Sequence, residues 1–193
     1  GHLYSYSRDN RFFFITRSTL LLGVLVMLWG CASHGMESPR AVRGTIDLTT
    51  WDFNRRGATG LDGEWEFYRD RFLLPGDFIK PEANDQRRLI RVPGGWNPGW
   101  GIYSGSLASG FATYRLRVIT IDRQTGSLGL RISFVRSAYR LYVNGKLVHS
   151  AGEPGTSAAS TIPLYSDDVV PLPQSKGGYE MIVHAANYHF PAG

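Results

Sequence analysis

The stretch Tyr139–Gly152, which reads YRLYVNGKLVHSAG, decides the fold of this chain. At its centre, Asn144 and Gly145 are two residues that tolerate a positive φ, as both central residues of a type I′ turn must. Short runs of alternating apolar and polar residues flank the pair on both sides. The stretch therefore predicts a β-hairpin with a two-residue turn.

The turn also predicts the register of the hairpin. It predicts two cross-strand residue pairs, Val143 with Lys146 and Leu141 with Val148. Side chains alternate between the two faces of a strand, so one face is predicted to enter the core. The residues on that face are Tyr139, Leu141, Val143 and Val148. Arg140 and His149 are then expected to lie opposite each other on the outer, solvent-facing side.

Other segments carry the same period of two. In Gly110–Thr120 the predicted core positions are Ala112, Tyr114, Leu116 and Val118, and the predicted wet positions are Thr113, Arg115 and Arg117. In Ser127–Val135 the predicted core positions are Leu128, Leu130, Ile132 and Phe134. Further strands are predicted at Gly63–Tyr68, Arg88–Val92, around Val169–Val170, and at Gly178–Ala186. Glycine, proline, asparagine and aspartate separate these runs, which is typical of an all-β sandwich.

Composition agrees with an all-β domain. The 193 residues include 23 Gly and 10 Pro and are 13% aromatic but only 19% charged, while 42% hydrophobic content suffices for a core. The net charge of +5 falls to +3 once three arginines and one aspartate in the first 31 residues are set aside (5 − 2 = 3). No block of basic residues stands out, so nucleic acid is not a predicted partner. The single cysteine rules out an internal disulfide.

Residues 1–35 have the pattern of a secretory signal or membrane anchor. Arg17 precedes about ten continuous apolar residues and then small residues. Leu28–Cys31 resembles the lipobox of bacterial lipoproteins, although Trp29 stands where that motif has a small residue. Three outcomes stay open: acylation at Cys31, ordinary cleavage between residues 32 and 35, and an uncleaved anchor. The folded domain is predicted to occupy residues 44–193.

Four motifs follow one another in a recognisable order, LDGEWEF (61–67), VPGGWN (92–97), ATYRL (112–116) and YVNG (142–145). This order resembles galactose-binding-like jelly rolls and extends over residues 44–190. Two families share it. One is the sugar-binding domain of family-two glycoside hydrolases. The closer resemblance is to the periplasmic domain of bacterial receptors that have seven transmembrane helices and diverse intracellular signalling modules.

The resemblance implies a non-catalytic, extracytoplasmic domain that senses a small-molecule or carbohydrate ligand, without a cofactor. It implies that the jelly roll is incomplete at its C-terminal end and that membrane helices and a signalling output domain lie further downstream. The expected location is the periplasmic face of the bacterial inner membrane. The alternatives are an accessory sugar-binding domain of a secreted or lipid-anchored glycoside hydrolase, and a stand-alone surface lipoprotein at the cell envelope.

No residue pattern predicts catalysis or a metal site. Glu64 and Glu66 fall on the outer face of a predicted strand, where a solvated edge explains them better than an acid/base pair. The histidines at 149, 184 and 189 lack close ligand spacing. No serine sits in a nucleophile elbow, and no glycine-rich loop has the strand-turn-helix context of a phosphate site.

The predicted binding element is the long loop between residues 96 and 110. Trp100 and Tyr103 could stack on the C–H faces of a sugar, with Asn97 and Arg136 as hydrogen-bonding partners of its hydroxyl groups. Packing within the loop explains both aromatic residues equally well, and Arg136 could simply be solvated. Trp96 is predicted to pack under the sandwich.

Overall fold

A computed structural model describes residues 37–95, 109–121, 128–135 and 137–190. Ser38–Gly193 form the compact unit to which the fold below belongs. The predicted leader and its Cys31 lie outside the described residues. In the described part of the chain no helix is long and apolar enough to cross a membrane.

The described residues form nine strands and a few short helical turns. The strands are β1 (Thr45–Asp47), β2 (Gly63–Arg69), β3 (Arg88–Val92), β4 (Gly110–Ile119), β5 (Gly129–Val135), β6 (Ala138–Val143), β7 (Lys146–Ala151), β8 (Ser166–Pro171) and β9 (Gly178–Asn187). The helical turns are α1 (Phe53–Arg56), a 3₁₀ helix (Pro75–Ile79) and α2 (Pro81–Asp85). The bounds of β3 match the prediction, and the other predicted strands are found with ends shifted by a few residues.

Two sheets face each other. The large sheet has the order β3-β2-β4-β9-β6-β7, antiparallel throughout, and β1 adds to it by pairing in parallel with β4. The small sheet consists of β5 and β8 in antiparallel pairing. The centre of the large sheet is the ten-residue pairing of β4 with β9, which runs from Gly110 opposite Asn187 to Ile119 opposite Gly178. The domain is therefore an all-β jelly-roll sandwich, as predicted.

The core between the sheets contains the residues that the alternation predicts, except that the side chain of Phe134 lies outside the described part of the structure. Leu116 and Leu141 are at most 2% exposed. The other predicted core positions of β4 and β6 that are buried are Ala112, Val118, Tyr139 and Val143. Partly buried residues from both sheets pack against them, among them Tyr114, Leu128, Leu130, Ile132 and Val148. Burial of this face supplies the main drive for the two sheets to pack.

The hairpin turn is as predicted, but the register beyond it is not. Asn144 has φ 48° and Gly145 has φ 79°, and Val143 pairs with Lys146. Further from the turn a β-bulge intervenes, so that Tyr142 pairs with residue 147 and Leu141 with residue 149. The predicted pairing of Leu141 with Val148 is therefore wrong, because one extra residue enters β7 at the bulge.

The bulge also changes where His149 lies. Arg140 pairs with Ser150, and the ring of His149 lies 5.8 Å from the ring of Tyr139, which faces the interior. The predicted outward pairing of Arg140 with His149 is wrong for the same reason. A single inserted residue turns the following side chain to the other face of a strand.

The outer face of the large sheet is covered rather than wet. Residues 71–87 cross it and contribute Leu73, Phe78 and Ala83 to a second apolar cluster with Tyr68 and Ile182. As a consequence, Thr113 is fully buried and Glu66 is only 1% exposed. The prediction that Glu66 lies on a solvated edge is wrong, because residues 71–87 cover that face of the sheet. The sequence of this covering segment has no alternating pattern from which the cover could be predicted.

Glu66 is buried among cations. Its carboxylate accepts hydrogen bonds from the hydroxyl of Tyr68 at 3.0 Å, from Nη1 of Arg115 at 3.2 Å and from Nη1 of Arg87 at 3.4 Å. Nη2 of Arg117 lies 3.7 Å from the same group. Burial, with the charge of Glu66 as a further cause, raises the pKa of Tyr68 to about 12. A buried carboxylate stays ionised only where hydrogen-bond donors and cations replace the water that hydrates it in solution.

The covering segment is also attached to the outer face through His184. Nε2 of His184 lies 2.8 Å from the carbonyl oxygen of Leu73, and Phe72 stacks on the imidazole with ring centroids 4.8 Å apart. Since the carbonyl oxygen can only accept, Nε2 carries the proton and donates it. Burial lowers the pKa of His184 below its ordinary value.

We predict that Glu66→Gln lowers the free energy of unfolding by about 2 to 3 kcal/mol, because it removes the buried negative charge around which Arg87, Arg115 and Arg117 are gathered. Urea denaturation measures this change. Glu64→Gln on the same strand is the matched control, since Glu64 is exposed and its carboxylate accepts a hydrogen bond from the backbone N–H of Arg43 at 3.1 Å. The control is expected to lose less than about 1 kcal/mol. Equal losses in both variants would contradict the buried-charge assignment.

We predict a pH dependence that originates at His184. Its pKa is lowered in the folded state, so below the ordinary value of 6.5 the unfolded chain binds the proton more readily. The stability contributed by the neutral imidazole is therefore full above pH 6.5 and is lost as the pH falls toward the folded pKa. Urea unfolding at a series of pH values should show this decline, and His184→Gln should flatten it. An unchanged slope in the variant would exclude His184 as the source.

Candidate functional site

Two cavities lie side by side at one end of the sandwich, and Phe53 lines both. This is the end where β4 finishes and β9 begins. One cavity has a volume of about 320 Å³ and the other about 310 Å³. Small-molecule sites are concave, mostly apolar and equipped with a few polar groups, so this end of the domain is the candidate site.

The first cavity, called here the apolar cleft, opens between the two sheets. Its apolar lining includes Leu48, Leu61, Val118, Leu130, Leu172 and Met181. Thr59 also lines it, but the side-chain oxygen of Thr59 is buried and does not reach the surface of the cleft. The accessible wall of the cleft is therefore mainly apolar.

The second cavity, called here the mixed cavity, is formed by the segment between β1 and β2. Besides Phe53 it is lined by Thr49, Thr50, Trp51, Asp52, Asn54 and Ile121. It therefore combines aromatic rings with hydroxyl, carboxylate and amide groups. Rings that pack on C–H surfaces, with polar groups that bond hydroxyls in fixed geometry, are suited to a polyhydroxylated ligand.

The lining segment is held in place by helix capping. The carboxylate of Asp52 accepts from the backbone N–H groups of Asn54 at 2.9 Å and Arg55 at 3.2 Å, which makes it the N-cap of α1. Gly57, with φ 71°, ends the helix and donates its N–H to the carbonyl of Phe53 at 2.9 Å. Both ends of this single helical turn are thus satisfied, so the turn presents Phe53 and Asn54 from a defined backbone.

Trp51 packs in the core and is hydrogen-bonded to the end of α1. Its Nε1 donates to the carbonyl oxygen of Gly57 at 3.1 Å, and the guanidinium of Arg56 lies 5.1 Å from its ring centroid. The side chain is 8% exposed, so only a small part of the indole reaches the cavity. Trp51 therefore stabilises the turn in addition to lining the site.

Asp47 positions a hydroxyl on the rim of the mixed cavity. Its carboxylate accepts from the side-chain hydroxyl of Thr49 at 2.6 Å and from the backbone N–H of Thr49 at 2.9 Å. These two bonds lower the pKa of Asp47, the side-chain bond being the larger cause. The ionised carboxylate thus holds Thr49 in one orientation at neutral pH.

The residues predicted from sequence to bind the ligand lie outside the described residues. They are Asn97, Trp100, Tyr103 and Arg136. Their binding role stays a prediction, as does lipidation at Cys31. The structure instead describes a site in residues 49–61, which the sequence analysis did not single out. A signal was present there, since Asp52 followed by Gly57 is the pattern of a capped helical turn, here next to two aromatic residues.

The described neighbours of the predicted residues lie at two ends of the sandwich. Val92 ends β3 opposite Gly63, near the cavities, and Asn97 follows five residues later in the chain. Ala138, which follows Arg136 by two residues, begins β6 at the opposite end. Because β4 is ten residues long, those ends are about 30 Å apart at 3.3 Å per residue. The loop itself ends at Gly110, which pairs with Asn187 at the same end as Ala138, so the grouping of Asn97 with Arg136 stays a prediction.

Ser166, Asp168 and His149 meet between the two sheets. The hydroxyl of Ser166 donates to Asp168, and the carboxylate of Asp168 lies 3.2 Å from Nε2 of His149. In a catalytic triad the histidine lies between the serine and the carboxylate and takes the serine proton. Here the aspartate is in the middle, so this arrangement does not activate Ser166 through His149.

Two further histidines of the described residues contact backbone carbonyl groups. His184 contacts Leu73 as described above, and Nε2 of His189 lies 3.1 Å from the carbonyl oxygen of Thr161. Within the described ranges no group of three or more histidine, cysteine, aspartate or glutamate side chains could hold a metal ion. What this part of the chain offers chemically is a pair of adjoining cavities for non-covalent binding.

No model of a protein family matches the chain, and no curated protein matches it. Among solved structures the chain is similar to a β-glucuronidase of Faecalibacterium prausnitzii, with 18% identity and a TM-score of 0.43 over 65% of this chain and 20% of that one. It is also similar to a β-glucuronidase of an uncultured Clostridium species, with 20% identity and a TM-score of 0.46 over 66% of this chain and 21% of that one.

A third similar structure is a GH2 β-galacturonidase from Eisenbergiella tayi bound to galacturonate, with 20% identity and a TM-score of 0.40. The match covers 67% of this chain and 19% of the enzyme. The chain therefore spans about a fifth of the length of each of these enzymes. Their activities are properties of those proteins and carry no argument about this chain.

Proposed function

We propose that this chain is a non-catalytic ligand-binding domain that recognises a carbohydrate outside the cytoplasm and serves a bacterial membrane receptor as its sensor. The observation that carries the binding part is the mixed cavity. It is lined by Asp52, Phe53 and Asn54, which lie on a turn that is capped at both ends. A rigid turn on a β scaffold orders few groups on binding, which favours affinity.

The receptor part rests on the sequence. The hydrophobic leader supports export, and the four ordered motifs support the sensor domain of a receptor. Binding would act on the receptor by favouring one arrangement of the domain over another, and the shift equals the difference in affinity between the two arrangements. The sugar-binding role would be the same in an accessory domain of a glycoside hydrolase, the alternative that the motifs leave open.

We predict that the purified domain binds at least one member of a panel of mono- and oligosaccharides in isothermal titration calorimetry. Asn54→Ala and Thr50→Ala should each weaken that binding by roughly 3- to 10-fold, since each removes one hydrogen-bonding group from the mixed cavity. Thr156→Ala is the matched control, because Thr156 is exposed and lies in the loop between β7 and β8. Absence of binding across the panel, or equal losses in Thr50→Ala and Thr156→Ala, would refute the proposal.

We predict that the natural full-length protein sediments with membranes, resists extraction by high salt, and exposes this domain to protease added to the periplasm. Deletion of residues 49–61 should abolish the response of its output to the sugar found in the panel, whereas Thr156→Ala should leave the response intact. A full-length protein that is released in soluble form and hydrolyses glycosides would instead support the accessory-domain alternative and refute the receptor.

A further inference from the structure

We propose that the outer face of the large sheet carries a binding site for an oxyanion, formed by the guanidinium groups of Arg87 and Arg117. The oxyanion is a carboxylate or phosphate group of a small soluble ligand. Arg117 and Val118 are neighbours in β4 and point to opposite faces of the sheet, and Val118 lines the apolar cleft. The site is therefore separate from the two cavities and goes beyond the proposed carbohydrate function.

Arg115, the third arginine beside Glu66, is fully engaged within the fold. Its Nε and Nη2 donate to Oε1 of Glu180 at 2.8 and 2.5 Å, and its Nη1 donates to Oε2 of Glu66 at 3.2 Å. The ring of Phe78 lies against it, with the guanidinium carbon 4.2 Å from the ring centroid. Arg115 thus has all three guanidinium nitrogens bonded and holds both carboxylates in place.

Arg117 differs from Arg115 because it has no hydrogen-bonded carboxylate. Its direct partner across the strands is Glu180 of β9. Opposite charges in such a pair normally attract each other, but the carboxylate of Glu180 is bonded to Arg115. What Arg117 approaches instead is Oε1 of Glu66, 3.7 Å from its Nη2, which is too long for a hydrogen bond. The side chain is 51% exposed, so its N–H groups are open to a ligand from solution.

Arg87 approaches the same oxygen atom. Its Nη1 donates to Oε1 of Glu66 at 3.4 Å, a long bond, and its side chain is 38% exposed. Because Nη1 of Arg87 and Nη2 of Arg117 both lie within 3.7 Å of one oxygen atom, a single oxyanion can accept from both groups. Charge-assisted bonds of this kind are about 2.8 Å long, and the planar guanidinium matches the oxygens of carboxylate and phosphate.

The charges around Glu66 do not balance. Three guanidinium groups meet two carboxylates, those of Glu66 and Glu180. Glu64, the preceding carboxylate on this face of β2, lies opposite Arg91 of β3, so that pair adds no net charge. One positive charge of the cluster therefore has no counter-charge. Like charges held side by side repel each other, and an anion bound between Arg87 and Arg117 removes that repulsion.

The experiment titrates inorganic phosphate, acetate and glucose into the isotope-labelled purified protein and follows the arginine Nε–Hε signals by NMR. We expect the signals of Arg87 and Arg117 to shift along saturable curves with phosphate and with acetate, and to stay in place with glucose, which carries no charge. Phosphate affinity should fall by roughly two- to fivefold when NaCl is raised to about 0.15 M, because salt screens exposed charges.

Two variants locate the site. Arg117→Gln should weaken phosphate binding by roughly 5- to 20-fold and keep the melting temperature, because its guanidinium makes no hydrogen bond to Glu66. Arg87→Gln should weaken phosphate binding to a similar extent. Arg131→Gln is the matched control, since Arg131 is 70% exposed but is paired with Asp167 at 3.2 Å. It removes the same charge from the surface and should change the affinity by less than about twofold.

Shifts that rise without saturation, or equal losses in Arg117→Gln and Arg131→Gln, would mean that anions only screen the surface charge, and the inference would fail. It would also fail if Arg117→Gln left phosphate affinity unchanged, since the anion would then bind elsewhere. Sedimentation with vesicles separates the sources of the oxyanion. If the protein sediments with phosphatidylglycerol but not with phosphatidylcholine vesicles, and Arg117→Gln abolishes this, the oxyanion belongs to a lipid headgroup and the assignment to a soluble ligand is overturned.

Discussion

Strands β4 and β9 are buried on both faces, and the rest of the structure depends on that double burial. Toward the small sheet, Leu116 and Met181 are at most 2% exposed, and toward the covering segment, Thr113 and Ile182 are fully buried. Polar groups on a covered face must be bonded. The hydroxyl of Thr113 therefore donates to the carbonyl of Arg71 at 2.7 Å and accepts from the backbone N–H of Leu73 at 2.9 Å. The same requirement gathers the arginines around Glu66.

This arrangement limits where a ligand can bind. The outer face of the large sheet is occupied by residues 71–87 and the inner face by the small sheet. In the described part of the chain the small sheet has two strands, whereas the large one has seven. Two strands cannot cover seven, so the segment 48–61 closes part of the inner face at one end. The cavities lie where that segment and the small sheet meet. The location of the site thus follows from the unequal widths of the sheets.

The sequence revealed what depends on neighbouring residues and missed what depends on distant ones. The Asn144–Gly145 turn and the core-facing side of β4 are local, and both are found as predicted. The predicted solvent-facing side of β4 is not, since Thr113 on it is fully buried. The bulge in β7 cannot be seen in the alternation, because Val148 and His149 each fit one strand face in an unbroken register. The burial of Glu66 depends on a segment that crosses the sheet without any period of its own.

The candidate site was missed for a similar reason. The apolar cleft joins Thr59, Leu130 and Leu172, which are far apart in sequence and meet only because β5 and β8 pack over the end of β4. No local pattern marks such a set. The long loop that the sequence emphasised carries aromatic residues at high density, but residues 96–108 lie outside the described residues. The binding role of Asn97, Trp100, Tyr103 and Arg136 remains a separate prediction.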